Sequence, residues 1–185
     1  MFALDPVLRH ISVAAGAIVF FLSALTKFRG LAVFRAAFGA YRLVPARLTP
    51  YAAPVIPVLE TVFAVGLLCA PIRPFAALGL ECLLGVFAVA LLVNLLRGND
   101  AIDCGCGGFV ETPSAAASSG IGYWHVGRVA ALAVLLWPAL QLVTERQVFL
   151  PDYATVFFAV LFIVGAYYVV DLLLANAPKL KNLGT

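Results

Sequence analysis

The chain has 185 residues, 64% of them hydrophobic and 11% charged, with a formal net charge of +3. A mean hydropathy of +1.06 is more than a soluble domain of this length needs, so the bilayer is its natural solvent. The small charge, carried by basic residues that flank apolar runs, excludes a nucleic-acid binder.

The first apolar run covers residues 6–26. It carries Asp5 near its start and shows no small-residue cleavage site before Lys27, so it reads as a retained helix and not a removed signal peptide. In residues 30–43, Leu31, Phe34, Phe38 and Tyr41 recur at helical spacing with Arg35 and Arg42 among them. That pattern predicts an interfacial amphipathic helix, with Lys27, Arg29 and Arg47 close by. Pro45 and Pro50 mark its end and the entry to a second span over 51–70. A third span follows over 74–96, then the longest connection, 98–120, whose second half is small and polar. The fourth and fifth spans cover 121–143 and 153–175. Each run is close to the roughly 20 residues that cross the hydrocarbon as a helix, and helices satisfy their own backbone there. The expectation is an all-α polytopic bundle forming a single transmembrane domain over 1–185. Four spans form its core, a fifth lies at the edge, and one interfacial helix joins them.

The 98–120 loop holds Cys104-Gly105-Cys106, followed by Gly107 and Gly108. Two thiols one residue apart close a very small disulfide ring, and strained, exposed disulfides are the exchanging kind. The glycines free the backbone for so tight a turn. Two free, unreactive cysteines are the bland alternative. A metal site built from Cys104, Cys106 and His125 lacks any familiar zinc spacing, so no metal is expected. Cys69 and Cys82 lie toward the opposite face and read as helix-packing residues.

With five spans, the amphipathic segment, the cysteine loop and the C-terminus share one side. Helix rise places polar residues below that side: Asn94 about 5 Å in, His125 about 6 Å, Arg128 about 11 Å and Glu60 about 13 Å. Asp171 lies toward the same side. Ionisable groups in hydrocarbon face the bundle interior with a partner. Glu60 and Arg128 match in depth and sign, and are expected to pair. His125 either caps its helix or draws a proton from a cysteine to make the nucleophilic thiolate. Glu81, nearer the opposite face, is expected to join the Glu60 network or stay neutral by burial.

Several runs together resemble one family. They are Thr26-Lys27-Phe28-Arg29, Ala40-Tyr41-Arg42-Leu43-Val44-Pro45, Pro57-Val58-Leu59-Glu60, Asn94-Leu95-Leu96-Arg97-Gly98, Asp103-Cys104-Gly105-Cys106 and Trp124-His125-Val126-Gly127-Arg128. In this order they are similar to MauE, the methylamine-utilisation protein E family of DoxX-like membrane bundles. The likeness covers about residues 10–140 and departs at Gly107, where members often carry Phe. It implies a bacterial inner-membrane protein that supports maturation of methylamine dehydrogenase. The disulfide-rich small subunit of that enzyme would be the client, and a thioredoxin-like MauD-type protein the partner. The implied activity is a thiol–disulfide oxidoreductase using Cys104 and Cys106, assisted by His125, with Glu60, Asn94 and Arg128 as supporting polar groups. Two other readings stand beside it. One is a scaffold or assembly factor with structural cysteines; the other is a quinone-linked oxidoreductase subunit whose polar cluster holds the headgroup.

The basic residues bear on orientation. Lys27, Arg29, Arg35, Arg42, Arg47, Arg97, Lys179 and Lys181 fall on the cysteine side, against Arg9, Arg73 and Arg146 on the other. That asymmetry argues for a cytoplasmic cysteine loop. The resemblance implies a periplasmic one, and headgroup binding by the interfacial helix on either leaflet weakens the count.

Overall fold

In the computed structural model, which describes residues 4–99, 120–144 and 146–183, the elements are all helical. In chain order they are α1 (Pro6–Arg29), α2 (Leu31–Ala40), α3 (Thr49–Leu68), α4 (Arg73–Leu96), α5 (Tyr123–Leu136) with a 3-10 turn at Trp137–Leu140, and α6 (Leu150–Leu183). Five stretches are long and apolar enough to cross a membrane: Pro6–Arg29, Thr49–Leu68, Arg73–Leu96, Tyr123–Leu140 and Leu150–Leu173. The chain is a multi-pass helical membrane protein, as its composition requires.

Helix α1 is the hub. It packs on α3, α5 and α6, while α4 lies between α3 and α5. Small residues let the helices approach: a Cβ on Gly16 of α1 would lie 2.7 Å from Leu136 of α5, and one on Gly66 of α3 2.9 Å from Ala76 of α4. The core runs through Val19, Phe20, Leu67, Leu80, Leu91 and Leu136. The outward faces of α3, α4 and α6 carry exposed Val58, Val62, Val86, Val89, Phe157 and Phe162, as helices facing lipid do. Helix α6 packs its backbone against α1, meets α5 through side chains, and lies at the edge, as expected.

On the side away from the cysteine loop the ends are strapped together. Leu4 pairs with Val143 in an isolated bridge, and Arg146 reaches Asp5 at 3.4 Å and Asp152 at 3.1 Å. The hydrogen bond to Asp152 holds the pKa of the Arg146 guanidinium above its ordinary value. Cys69 and Cys82 correct an expectation: both are free and exposed on the outer surface and do not pack between helices.

The break between α1 and α2 positions everything that follows. Gly30 leaves the helical backbone region at φ −104°, ψ 36°, and α2 resumes at once, burying Phe34 and Ala37. In the last turn of α1, Phe28 and Arg29 are exposed while Lys27 is buried against α2. Lys27 lies level with Glu60, about 16 Å from the start of α3 and about 12 Å from its end.

Candidate functional site

Lys27 is buried, with 3% of its surface exposed. Its Nζ donates to Glu60 Oε1 at 2.5 Å and to Ser23 Oγ at 2.9 Å. The ammonium also sits over the rings of Phe34, 5.7 Å from the centroid, and Phe87, 5.5 Å away. Groups from α1, α2, α3 and α4 thus converge on one cation. Ser23 is four residues before Lys27, one helical turn back on the same face. The two rings present their negative faces to the remaining side of the charge. Glu60 Oε2 has no hydrogen-bond partner among the described residues. Pro57, one turn before Glu60, removes a backbone donor within α3, and Thr61 Oγ1 donates to its carbonyl at 2.8 Å.

The expected pairing of Glu60 with Arg128 is corrected. Arg128 Nη1 binds Asp171 of α6 at 2.6 Å, and its Nε and Nη2 donate to Tyr167 Oη at 2.8 and 2.5 Å. The guanidinium also lies over the Tyr167 ring, 4.7 Å from its centroid. Tyr167 and Asp171 stand one turn apart and form a fork that receives Arg128. Depth and sign are the basis for expecting Arg128 to pair with Glu60, and neither says which way a side chain points around the helix axis. The two pairs remain electrically coupled: Arg128 acts on Lys27 and Glu60 on Tyr167. Two ion pairs on α1, α3, α5 and α6 thus form one polar layer across the bundle.

Above that layer, at the cysteine-loop end, Asn94 is 1% exposed. Its Nδ2 donates to the carbonyls of Ala90 at 3.0 Å and Tyr41 at 3.4 Å, while Oδ1 accepts from Asn99 Nδ2 at 3.2 Å. The backbone N–H of Asn99 donates to the Asn94 carbonyl at 3.0 Å. Asn94 therefore joins α2 to α4 and fixes the point where the chain departs toward the cysteine loop. On the returning side, Ile121 is buried and α5 begins at Tyr123.

His125 lies in the first turn of α5, half-buried. Its Nδ1 accepts the backbone N–H of Gly122 at 3.2 Å. With Nδ1 occupied as an acceptor, the neutral ring carries its proton on Nε2. The ring thus presents an Nε2–H donor, and Nδ1 is engaged by the main chain. Of the expected site residues, Asn94, His125 and Arg128 lie toward the cysteine-loop end of their helices, and Glu60 lies near mid-span. Cys104 and Cys106 lie outside the described residues. Glu81 does not join the layer; its Oε1 is buried without a partner among the described residues.

The sequence reading missed Lys27, because it closes an apolar run and so reads as a flanking charge. The available signal was the apolar helix resuming immediately after Gly30, which places Lys27 between two apolar segments. Tyr167 was also missed. Its one-turn spacing to Asp171, an intramembrane acid, was the clue.

The sequence profile of a family described as methylamine utilisation protein MauE matches residues 4–141. A methylamine utilization protein MauE of Paracoccus denitrificans is 41% identical over 90 residues, which are 49% of this chain and 48% of that protein. The match thus spans about half the length of that relative. No solved structure matches the chain.

Proposed function

We propose, from the premise that the chain belongs to the MauE family, that it is an inner-membrane thiol–disulfide exchange protein serving methylamine dehydrogenase maturation. The observation that carries this reading is the pair of described junctions that flank Cys104-Gly105-Cys106 in the chain. The buried Asn94–Asn99 junction precedes it and the His125 turn follows it, both on a bundle braced by two buried ion pairs. Such a base is a rigid mount for a reactive segment, and His125 is the side chain it offers to the chemistry.

In the exchange, a thiolate of the thioredoxin-like, MauD-type partner attacks one sulfur of the Cys104–Cys106 disulfide. The sulfur–sulfur bond breaks and a mixed disulfide forms. The partner's second thiol then displaces it. The partner leaves oxidised, able to introduce disulfides into the small subunit of the dehydrogenase, and the loop keeps two thiols. The electron pair departs to an acceptor, for which a bilayer quinone has suitable chemistry. His125 Nε2–H stabilises the leaving thiolate as a hydrogen-bond donor. The exchange face is periplasmic, where disulfides persist.

The test is client disulfide content beside the level of the membrane protein in strains carrying Cys104→Ser, Cys106→Ser or both. The proposal expects an under-oxidised client with the membrane protein at its normal level. Normal maturation in the double variant would leave the scaffold reading, to which the buried ion pairs are equally suited.

A further inference from the structure

We infer that the cysteine-loop end of the bundle carries a phosphate-binding cleft for anionic lipid headgroups, centred on Arg42 and Arg97. The cleft is about 300 Å³ and is lined by Tyr41, Arg42, Asn94, Arg97, Gly98 and Asn99. Arg42 also lines a neighbouring depression of about 560 Å³ in the α2–α3 connection. Both guanidiniums are exposed, and among the described residues neither has a carboxylate within ion-pair distance.

The protein does not use these arginines to satisfy its own backbone. The last carbonyls of α4 are taken by main-chain donors: Val93 by Arg97 N–H, Leu95 by Gly98 N–H and Asn94 by Asn99 N–H. The Tyr41 carbonyl receives Asn94 Nδ2. Two residues with planar guanidinium donors therefore line one cleft, and such donors grip phosphate oxygens in pairs.

Arg42 is also the one non-glycine residue with positive φ among the described residues, at +52°. A long side chain gains nothing from that conformation, which glycine or asparagine adopts at less cost. The turn is closed by Arg42 N–H donating to the Gly39 carbonyl at 3.1 Å, and it holds the arginine between the two depressions.

The surroundings select a lipid over a soluble anion. Leu43 and Leu96 are exposed and adjoin Arg42 and Arg97 in the chain. Apolar side chains beside a pair of arginines at a span end fit a headgroup whose acyl chains run down the bundle.

The experiment is native mass spectrometry of the full chain in detergent, titrated with an equimolar mixture of phosphatidylglycerol and phosphatidylcholine. The wild type should retain phosphatidylglycerol preferentially. With each arginine near an anionic group worth about a factor of five, R42A/R97A should lose that preference roughly 25-fold. R42K/R97K, which keeps the charge but not the forked donors, should fall between wild type and R42A/R97A, which separates lost charge from lost fold. R35A/R47A, which removes equal charge outside the cleft, should leave it unchanged. Equal loss in R35A/R47A, or full retention in R42A/R97A, overturns the site. Displacement of the lipid by millimolar inorganic phosphate shows a soluble-anion site and overturns the lipid assignment.

Discussion

Replacing Lys27 by Met removes the cation from the centre of the polar layer and leaves Glu60 buried beside two aromatic rings. At 2.5 Å, an effective dielectric of about 20 gives an attraction of about 6–7 kcal/mol. Desolvation of two ions offsets most of it, at several kcal/mol each. The intact pair therefore contributes little net stability, yet breaking it costs about 3–5 kcal/mol, because the remaining charge has no compensation. For a chain of this size that loss lowers the melting temperature by roughly 6–20 °C. Lys27→Met/Glu60→Met replaces both charges with apolar side chains, and should recover most of the loss. The assay is the fraction of purified protein that stays monodisperse in detergent after heating, for the wild type, both single variants and the double. A K27M variant as stable as wild type would refute the reasoning. So would a double variant that loses the sum of the two single losses, because the residues would then not be coupled.

Asp171→Asn leaves Arg128 with Tyr167 as its main neutral partner, and should cost about 2–3 kcal/mol; heating in detergent shows it, and Arg128→Met in the same chain should restore stability. Glu60→Gln should be relieved by Lys27→Met and not by Arg128→Met, a direct check of the revised pairing. His125→Ala removes the acceptor for the Gly122 N–H and the Nε2–H donor. It should cost about 0.5–1.5 kcal/mol and slow thiol exchange by much less than either cysteine change, as followed by quenched thiol labelling.

Spans were legible in the sequence because hydrocarbon thickness acts on every residue of a run, so length and apolarity alone report them. The order in depth of Asn94, His125, Arg128 and Glu60 was legible for the same reason, since helix rise converts residue number into depth. Partner choice was not. Arg128 and Glu60 share a depth, but α1 brings Lys27 to Glu60 and α6 brings Asp171 to Arg128. Those contacts depend on rotation about each helix axis and on the break at Gly30, which carries Lys27 to mid-bundle. The outward placement of Cys69 and Cys82 was illegible for a related reason: an apolar thiol suits lipid and core equally.

The most direct test of the central claim is covalent capture. Cells expressing Cys104→Ser or Cys106→Ser are quenched with acid, alkylated and run on non-reducing gels. The account predicts that one of the two variants accumulates a mixed disulfide with a thioredoxin-like protein, and that reductant dissolves it, because the remaining loop cysteine attacks the oxidised partner's disulfide and no second loop thiol carries the adduct forward. No adduct in either variant, with both cysteines unreactive before and after reduction, would contradict it.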